Sequence, residues 1–230
     1  MEILGLENVS LVDWEEKVCA TVFTGGCNFL CPFCHNSGLV RKEIDAISEA
    51  EVLEYLRSRT GLLDGVVVSG GEPTLQPDLE LFLKKVKDMG YLIKLDTNGA
   101  RPEVLKTILD NGLIDYVAMY IKNNFDDYSK ITGLKKAPIE KIKESLKILE
   151  ESKVNYELRT TLVSEFHSKA NIEKLAEDLS GQKILYLQRF IDSGSLIDTV
   201  NTLHEVPSSA AEEYKSILEN GIKRVVLRGY

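Results

Sequence analysis

Short runs rich in β-branched and aromatic residues recur along the chain. Each is followed by a stretch whose apolar positions return every three to four residues, so the first kind of run reads as strand and the second as helix. Six strands are predicted: VCATVF (18–23), GVVVSG (65–70), YLIKLDT (91–97), YVAMYIK (116–122), YELRTTL (156–162) and ILYLQRF (184–190). Helices are predicted near 48–59, 78–89, 102–111, 138–152 and 171–180. Ser48 stands three residues before Glu51 as a capping box, Pro102 and Pro138 fit first-turn positions, and Gly90 and Gly112 fit helix ends.

Strand and helix in strict alternation imply parallel pairing, because the chain must cross back before it lays down the next strand in the same direction. Six such units make an α/β fold, either an open doubly wound sheet or a partial barrel. No Pro-, Gly- or Ser-rich linker, low-complexity tract or change of composition divides the chain, so one domain over 1–230 is expected. Its core would be 18–190, followed by a C-terminal segment, 191–230, with a helix at 207–219 and a short edge strand at 224–229. Parallel α/β folds collect functional groups at the C-terminal ends of their strands. Ser69 to Pro73, Asp96 to Gly99, Tyr120 to Lys122, Arg159 to Thr161 and Gln188-Arg189 are all read there, as is a cysteine-rich loop after the first predicted strand.

With 230 residues the chain is long enough to bury a full core. Its 36 acidic and 28 basic residues leave a net charge of -8, the wrong sign for neutralising phosphates over a broad surface, so nucleic acid is not an expected partner. No apolar run approaches the roughly 20 residues that cross a bilayer, and MEILGLENVS lacks a basic stretch leading into an apolar one. No membrane association and a cytoplasmic location are expected. Four cysteines, three of them crowded together, do not resemble a disulfide framework. Cys19 alternates with Val18 and Ala20 as a buried strand thiol would. His167 and His204 lie in polar surroundings and read as surface residues. The lysine-rich helix 138–152 reads as a solvated face with opposite charges interspersed.

The segment GGCNFLCPFCHN places Cys27, Cys31 and Cys34 in a Cys-x3-Cys-x2-Cys spacing, followed by His35. Three readings compete: zinc held by the three thiolates and His35, an iron–sulfur cluster with three protein thiolates and one iron open to another ligand, or three unligated thiols. Zinc is disfavoured because Cys34 and His35 are sequence neighbours, and structural zinc usually takes two separated pairs. Unligated thiols on one loop would be prone to oxidation. Gly70-Gly71-Glu72-Pro73 reads either as an ordinary turn or as a backbone that a ligand approaches closely.

Together these motifs resemble the radical S-adenosylmethionine (SAM) superfamily. That resemblance implies a partial (β/α)6 TIM-like barrel of parallel strands, open on one side, with a [4Fe-4S] cluster on Cys27, Cys31 and Cys34 and SAM on the open iron. It further implies SAM contacts from Gly70, Gly71, Glu72 and Pro73, and an aromatic, Phe33, near the adenine. Asp96, Thr97, Asn98, Tyr120 and Arg159 are the remaining candidate cofactor contacts; Arg159 reads equally well as a SAM-carboxylate partner or as a strand arginine in a salt bridge to a neighbouring helix. No catalytic protein residue is assigned. Over most of the chain, SLVDW, VVVSGGEPTLQPDL, LDTNG, DYVAMYIKNNFDDYSKITG and YLQRF resemble the activating proteins of anaerobic ribonucleoside-triphosphate reductase, a branch of the glycyl-radical-enzyme activases. His35, within the Cys-His-Asn triplet typical of that group, is then a neighbour of the cluster.

The resemblance implies one-electron cleavage of SAM to a 5′-deoxyadenosyl radical, which takes a hydrogen from a glycine of a partner enzyme, with flavodoxin or ferredoxin as external electron donor. An opening left by only six strands would admit a protein loop. Two departures stand out: Tyr120 replaces the acid of a Met-Asp-Ile-Lys segment, which puts cation binding there in doubt, and Trp14-Glu15-Glu16 replaces a Tyr-Pro-Gly turn. Activation of a pyruvate formate-lyase type enzyme, a small-molecule radical reaction and a simple iron–sulfur electron carrier remain alternatives. Arg228-Gly229-Tyr230 reads as the end of an edge strand.

Overall fold

The computed structural model describes residues 1–192, 194–198 and 202–230; Ser193 and 199–201, within the predicted C-terminal segment, lie outside the described residues. The elements in chain order are β1 (Ile3–Ser10), β2 (Cys19–Thr24), α1 (Ser37–Arg41), α2 (Glu49–Ser58), β3 (Gly65–Gly70), α3 (Leu79–Lys87), β4 (Leu92–Thr97), α4 (Pro102–Asp110), β5 (Tyr116–Tyr120), α5 (Tyr128–Thr132), α6 (Ile139–Glu151), β6 (Asn155–Leu162), α7 (Lys169–Asp178), β7 (Leu185–Arg189), α8 (Ser208–Leu218) and β8 (Val225–Arg228). Each strand neighbours the one before it in the sequence, from β1 to β8. All six predicted strands and all six predicted helices are present, as is the short strand near the C-terminus. This is an α/β fold of mostly parallel strands.

The chain forms two compact units. The first comprises Met1–Asn28, Gly38–Ala118 and Glu140–Tyr156. In it β2, β3 and β4 pair in parallel, and Val66, Val67 and Val68 of β3 are fully buried, the continuous apolar run of a strand covered on both faces. Ser48 caps α2 with the expected reciprocal bonds to Glu51, and Pro102 takes the first turn of α4. The six-strand count is corrected here by β1, which pairs antiparallel with β2. Its three consecutive exposed residues, Glu7, Asn8 and Val9, and the two irregularities in its register leave it without the alternation that marks a strand in sequence. Cys19 is buried, as expected of a small apolar thiol.

The second unit comprises Phe29–Ser37, Met119–Ile139 and Glu157–Tyr230. Here β6, β7 and β8 pair in parallel. Helix α7 begins two residues earlier than its apolar pattern suggests because Ser168 and Asn171 cap it reciprocally, with Asn in the place usually held by Glu or Gln. Helices α1 and α5, five residues each, are too short to show a period. Among the described residues no helix is long and apolar enough to cross a membrane.

Candidate functional site

Beyond the end of β2 the backbone of Gly25 and Gly26 meets the end of β3. The Gly71 amide donates to the Thr24 carbonyl at 3.0 Å, and the Glu72 amide donates to the Gly26 carbonyl at 2.8 Å. A Cβ on Gly71 would stand 1.9 Å from the Gly26 oxygen, and one on Gly70, whose φ is +119°, would stand 2.3 Å from the Thr24 nitrogen. The two glycines are therefore required by the chain itself, where the strand-end loop that carries Cys27 lies directly on the GGEP turn. A ligand-approach reading of the motif misses this packing role.

Glu72 is fully buried. Its carboxylate accepts from the Thr74 amide at 3.1 Å, the Thr74 hydroxyl at 2.5 Å, the Thr97 hydroxyl at 2.7 Å and the Asn98 amide at 2.6 Å. Burial pushes its pKa up, and these donors pull it back down. The result is a staple between the ends of β3 and β4. From β4 the amide of Asn98 then reaches back, donating to Asn28 Oδ1 at 2.8 Å and to Cys27 Sγ at 3.8 Å. Four predicted site residues, Glu72, Thr97, Asn98 and Cys27, are thus joined through hydrogen bonds within one unit. Asp96 accepts from the Ser69 hydroxyl at 3.1 Å and lies 4.0 Å from the buried ammonium of Lys94, which also donates to the Asp13 carbonyl. Neither Asn28 nor Lys94 stood out in the sequence; a lysine inside an otherwise apolar strand run was the available signal.

In the second unit the Cys34 amide donates to the Cys31 carbonyl at 3.0 Å, a tight turn. The segment after β7 holds this turn, with Ile197 donating to the Cys34 carbonyl and Asp198 to that of Pro32. Cys31 is buried and Cys34 half-buried. Burial pushes the Cys31 thiol up, opposed by the Lys122 charge. Phe33 is buried against Phe166, with ring centroids 6.0 Å apart, and His35 is exposed.

Tyr120, at the end of β5, lies in a cationic setting. Its hydroxyl accepts from Arg159 Nη1 at 3.2 Å, and the Lys122 ammonium stands 4.5 Å from its ring centroid. Arg159 occupies the body of β6 rather than its rim, because the strand continues to Leu162. It pairs with buried Glu157 two residues earlier on the same strand face, and Arg228 approaches the same carboxylate at 3.8 Å. The ion pair is therefore with its own strand, not with a neighbouring helix as the sequence suggested. His167 corrects the surface reading: it is buried, with its ring nitrogens at 3.1 Å from the Val163 carbonyl and 3.0 Å from the Lys122 carbonyl. Backbone partners satisfied within the fold explain how a histidine in a polar stretch can be interior. His204 is exposed, against Glu165.

Cys27 belongs to the first unit and Cys31 and Cys34 to the second. Among the described residues no three His, Cys, Asp or Glu side chains stand together as a ready-made metal group. The donor chemistry nonetheless fits an iron–sulfur group: all four cysteines are free thiols, and the three on the loop are the soft donors such clusters take. Comparison with known proteins decides the family. Residues 21–179 match the model of the Radical SAM superfamily. The chain belongs to the Radical SAM superfamily. Members of this superfamily use a [4Fe-4S] cluster and SAM, and these are the cofactors of this radical SAM protein.

Relatives carry the likeness over the full length. A Methanocaldococcus jannaschii protein, named as a proposed glycyl-radical enzyme activating enzyme, is 30% identical over 98% of this chain and 95% of its own length. The pyruvate formate-lyase-activating enzyme of Clostridium pasteurianum is 34% identical over 76% of this chain and 74% of its own. In fold, a radical SAM methyltransferase from Sphaerobacter thermophilus superposes with a TM-score of 0.73 at 17% identity, covering 94% of this chain and 67% of that one.

Proposed function

We propose that this radical SAM protein is an activase that installs a glycyl radical on a partner enzyme, most specifically an anaerobic ribonucleoside-triphosphate reductase. The observation that carries the reading is the full-length likeness to a protein named for glycyl-radical enzyme activation, on a chain with an intact Cys-x3-Cys-x2-Cys loop and a GGEP turn packed against it. When bound, the cluster and SAM would supply one-electron cleavage of the sulfonium, with the electron from an external donor, and so the radical chemistry that takes one hydrogen atom from the partner's glycine Cα.

The chain's own residues bind and orient. Cys27, Cys31 and Cys34 are the assigned ligands, with Asn98 restraining Cys27 and the 197–198 backbone restraining the Cys31–Cys34 turn. Gly70, Gly71 and Pro73 shape the loop for SAM, while Glu72 positions it from beneath rather than offering a free carboxylate. Phe33, Asp96, Thr97, Tyr120 and Arg159 complete the assigned set; Tyr120 brings hydrogen bonding and a π face. A flavodoxin or ferredoxin is the electron donor in this reading.

Anaerobic incubation of reconstituted protein with dithionite and SAM is expected to yield 5′-deoxyadenosine, which an electron carrier would not produce. Replacing Cys27, Cys31 or Cys34 by Ser is expected to abolish the product, and Cys19→Ser to retain it. Co-incubation with an anaerobic reductase should then give a glycyl doublet by electron paramagnetic resonance. A doublet with a pyruvate formate-lyase type enzyme and none with the reductase would reassign the partner.

A further inference from the structure

The cysteine loop carries an exposed apolar residue where a buried one would be ordinary. Leu30, the residue before Cys31, is 51% exposed. Its backbone is fixed to the end of α5: the Leu30 amide donates to the Thr132 carbonyl at 2.8 Å, and Gly133 (φ +69°) comes so close that a Cβ there would stand 2.8 Å from the Leu30 oxygen. Only glycine allows that approach. The chain then continues as Leu134-Lys135-Lys136, and the Ala137 amide donates to the Ser129 hydroxyl at 2.9 Å, closing the segment back on α5.

Residues 128–139 hold three lysines and no acid, in a chain whose net charge is -8. Lys130 is paired with Asp127 at 2.6 Å. Lys135 and Lys136 are exposed and form no ion pair among the described residues. A basic patch on an acidic molecule selects acidic partners, since the remaining surface repels them while the patch attracts and orients them. An apolar centre with a charged rim is also the anatomy of a transient protein interface.

We propose that Leu30 with Lys135 and Lys136 is the docking face for an acidic one-electron carrier protein. This rests on the radical SAM reading, which requires a single electron from outside. One electron leaves the carrier, oxidising it by one equivalent, and reduces the iron–sulfur group by one. Electron transfer weakens steeply with distance, and Leu30 is covalently adjacent to an assigned ligand, so a partner seated on Leu30 sits next to the acceptor.

The test uses a bacterial flavodoxin of net negative charge as probe. Its affinity for the reconstituted protein is read from flavin fluorescence across a salt series, and its rate of cluster reduction from the visible spectrum. Lys135→Glu/Lys136→Glu is expected to weaken binding about tenfold, flatten the salt dependence and slow reduction by flavodoxin. Reduction by dithionite, which needs no docking, should be unchanged, and circular dichroism should match the parent. Lys106→Glu/Lys147→Glu, an equal charge change on exposed positions of α4 and α6, should leave flavodoxin binding near the parent value. Parent-like binding by the first variant, equal weakening by the second, or no binding by the parent protein overturns the docking face. Failure of the radical SAM reading shows separately, as no 5′-deoxyadenosine from the parent with dithionite.

Discussion

Two buried carboxylates in this molecule are stabilised by opposite means. Glu72, in the first unit, is held by neutral donors, two hydroxyls and two backbone amides. Glu157, in the second, is held by cations, with Arg159 against it and Arg228 at 3.8 Å. The first arrangement is short-range and directional, so it fixes backbone geometry between two strand ends. The second is Coulombic and fixes charge balance inside a strand face. A loop beside an assigned cluster ligand benefits from the former, because hydrogen bonds to named amides set where the chain runs. A carboxylate beneath Tyr120 serves the latter, because it offsets the guanidinium that the phenol also touches.

The comparison is most strongly tested by removing one side of the ion pair. Arg159→Met leaves Glu157 buried without its closest guanidinium, with Arg228 at 3.8 Å, and a loss of roughly 3 kcal/mol is expected, at the low end for a broken buried pair. Chemical denaturation measures it. The double variant Glu157→Met/Arg159→Met should recover most of that loss; if it is as unstable as the single one, the pair is not what the arginine contributes. A smaller effect is expected at the other carboxylate, because water entering the space left by the side chain can serve most of its four donors: Glu72→Ala should cost roughly 1–3 kcal/mol, the penalty of about one buried donor left without an acceptor.

Glu72 also carries a pH signature. Its folded-state pKa is raised, so the native state binds its proton more tightly than the unfolded chain does. Its contribution to stability is therefore fully present below the ordinary glutamate range and lost as pH rises through the raised value. Subtracting the stability–pH curve of Glu72→Gln from the parent curve should give a difference that declines with rising pH; a difference that increases would reverse the assignment. The smallest effect is expected for Tyr120→Phe. It removes one hydrogen bond from Arg159 and keeps the ring beneath Lys122, for about 1.5 kcal/mol. An equal loss in Tyr120→Phe and Tyr120→Leu would show that the cation–ring contact adds nothing.

Strand β3 was legible because three consecutive valines bounded by glycines admit few other structures. The site was legible in the same way, since three thiols at fixed spacing and a GGEP turn are local statements. Helix α5 and strand β1 were not, the one because five residues complete barely more than a turn, the other because three consecutive exposed residues break its alternation. Lys94 and His167 show the limit most clearly. Both are polar residues with every reason to be outside, and both are inside because backbone groups distant in sequence, the carbonyl of Asp13 for Lys94 and that of Lys122 for His167, partner their nitrogens.

The amino-acid sequence by itself determined the alternation of strands and helices, the parallel α/β class, the three-cysteine motif and the family that carries it, because each depends on residues close together in the chain. Tertiary structure alone decided that Gly70 and Gly71 serve the chain's own backbone, that Glu72 is a staple and that Arg159 is already paired. Those outcomes depend on which carbonyl, carboxylate or hydroxyl arrives from another strand, and no local pattern encodes that arrival.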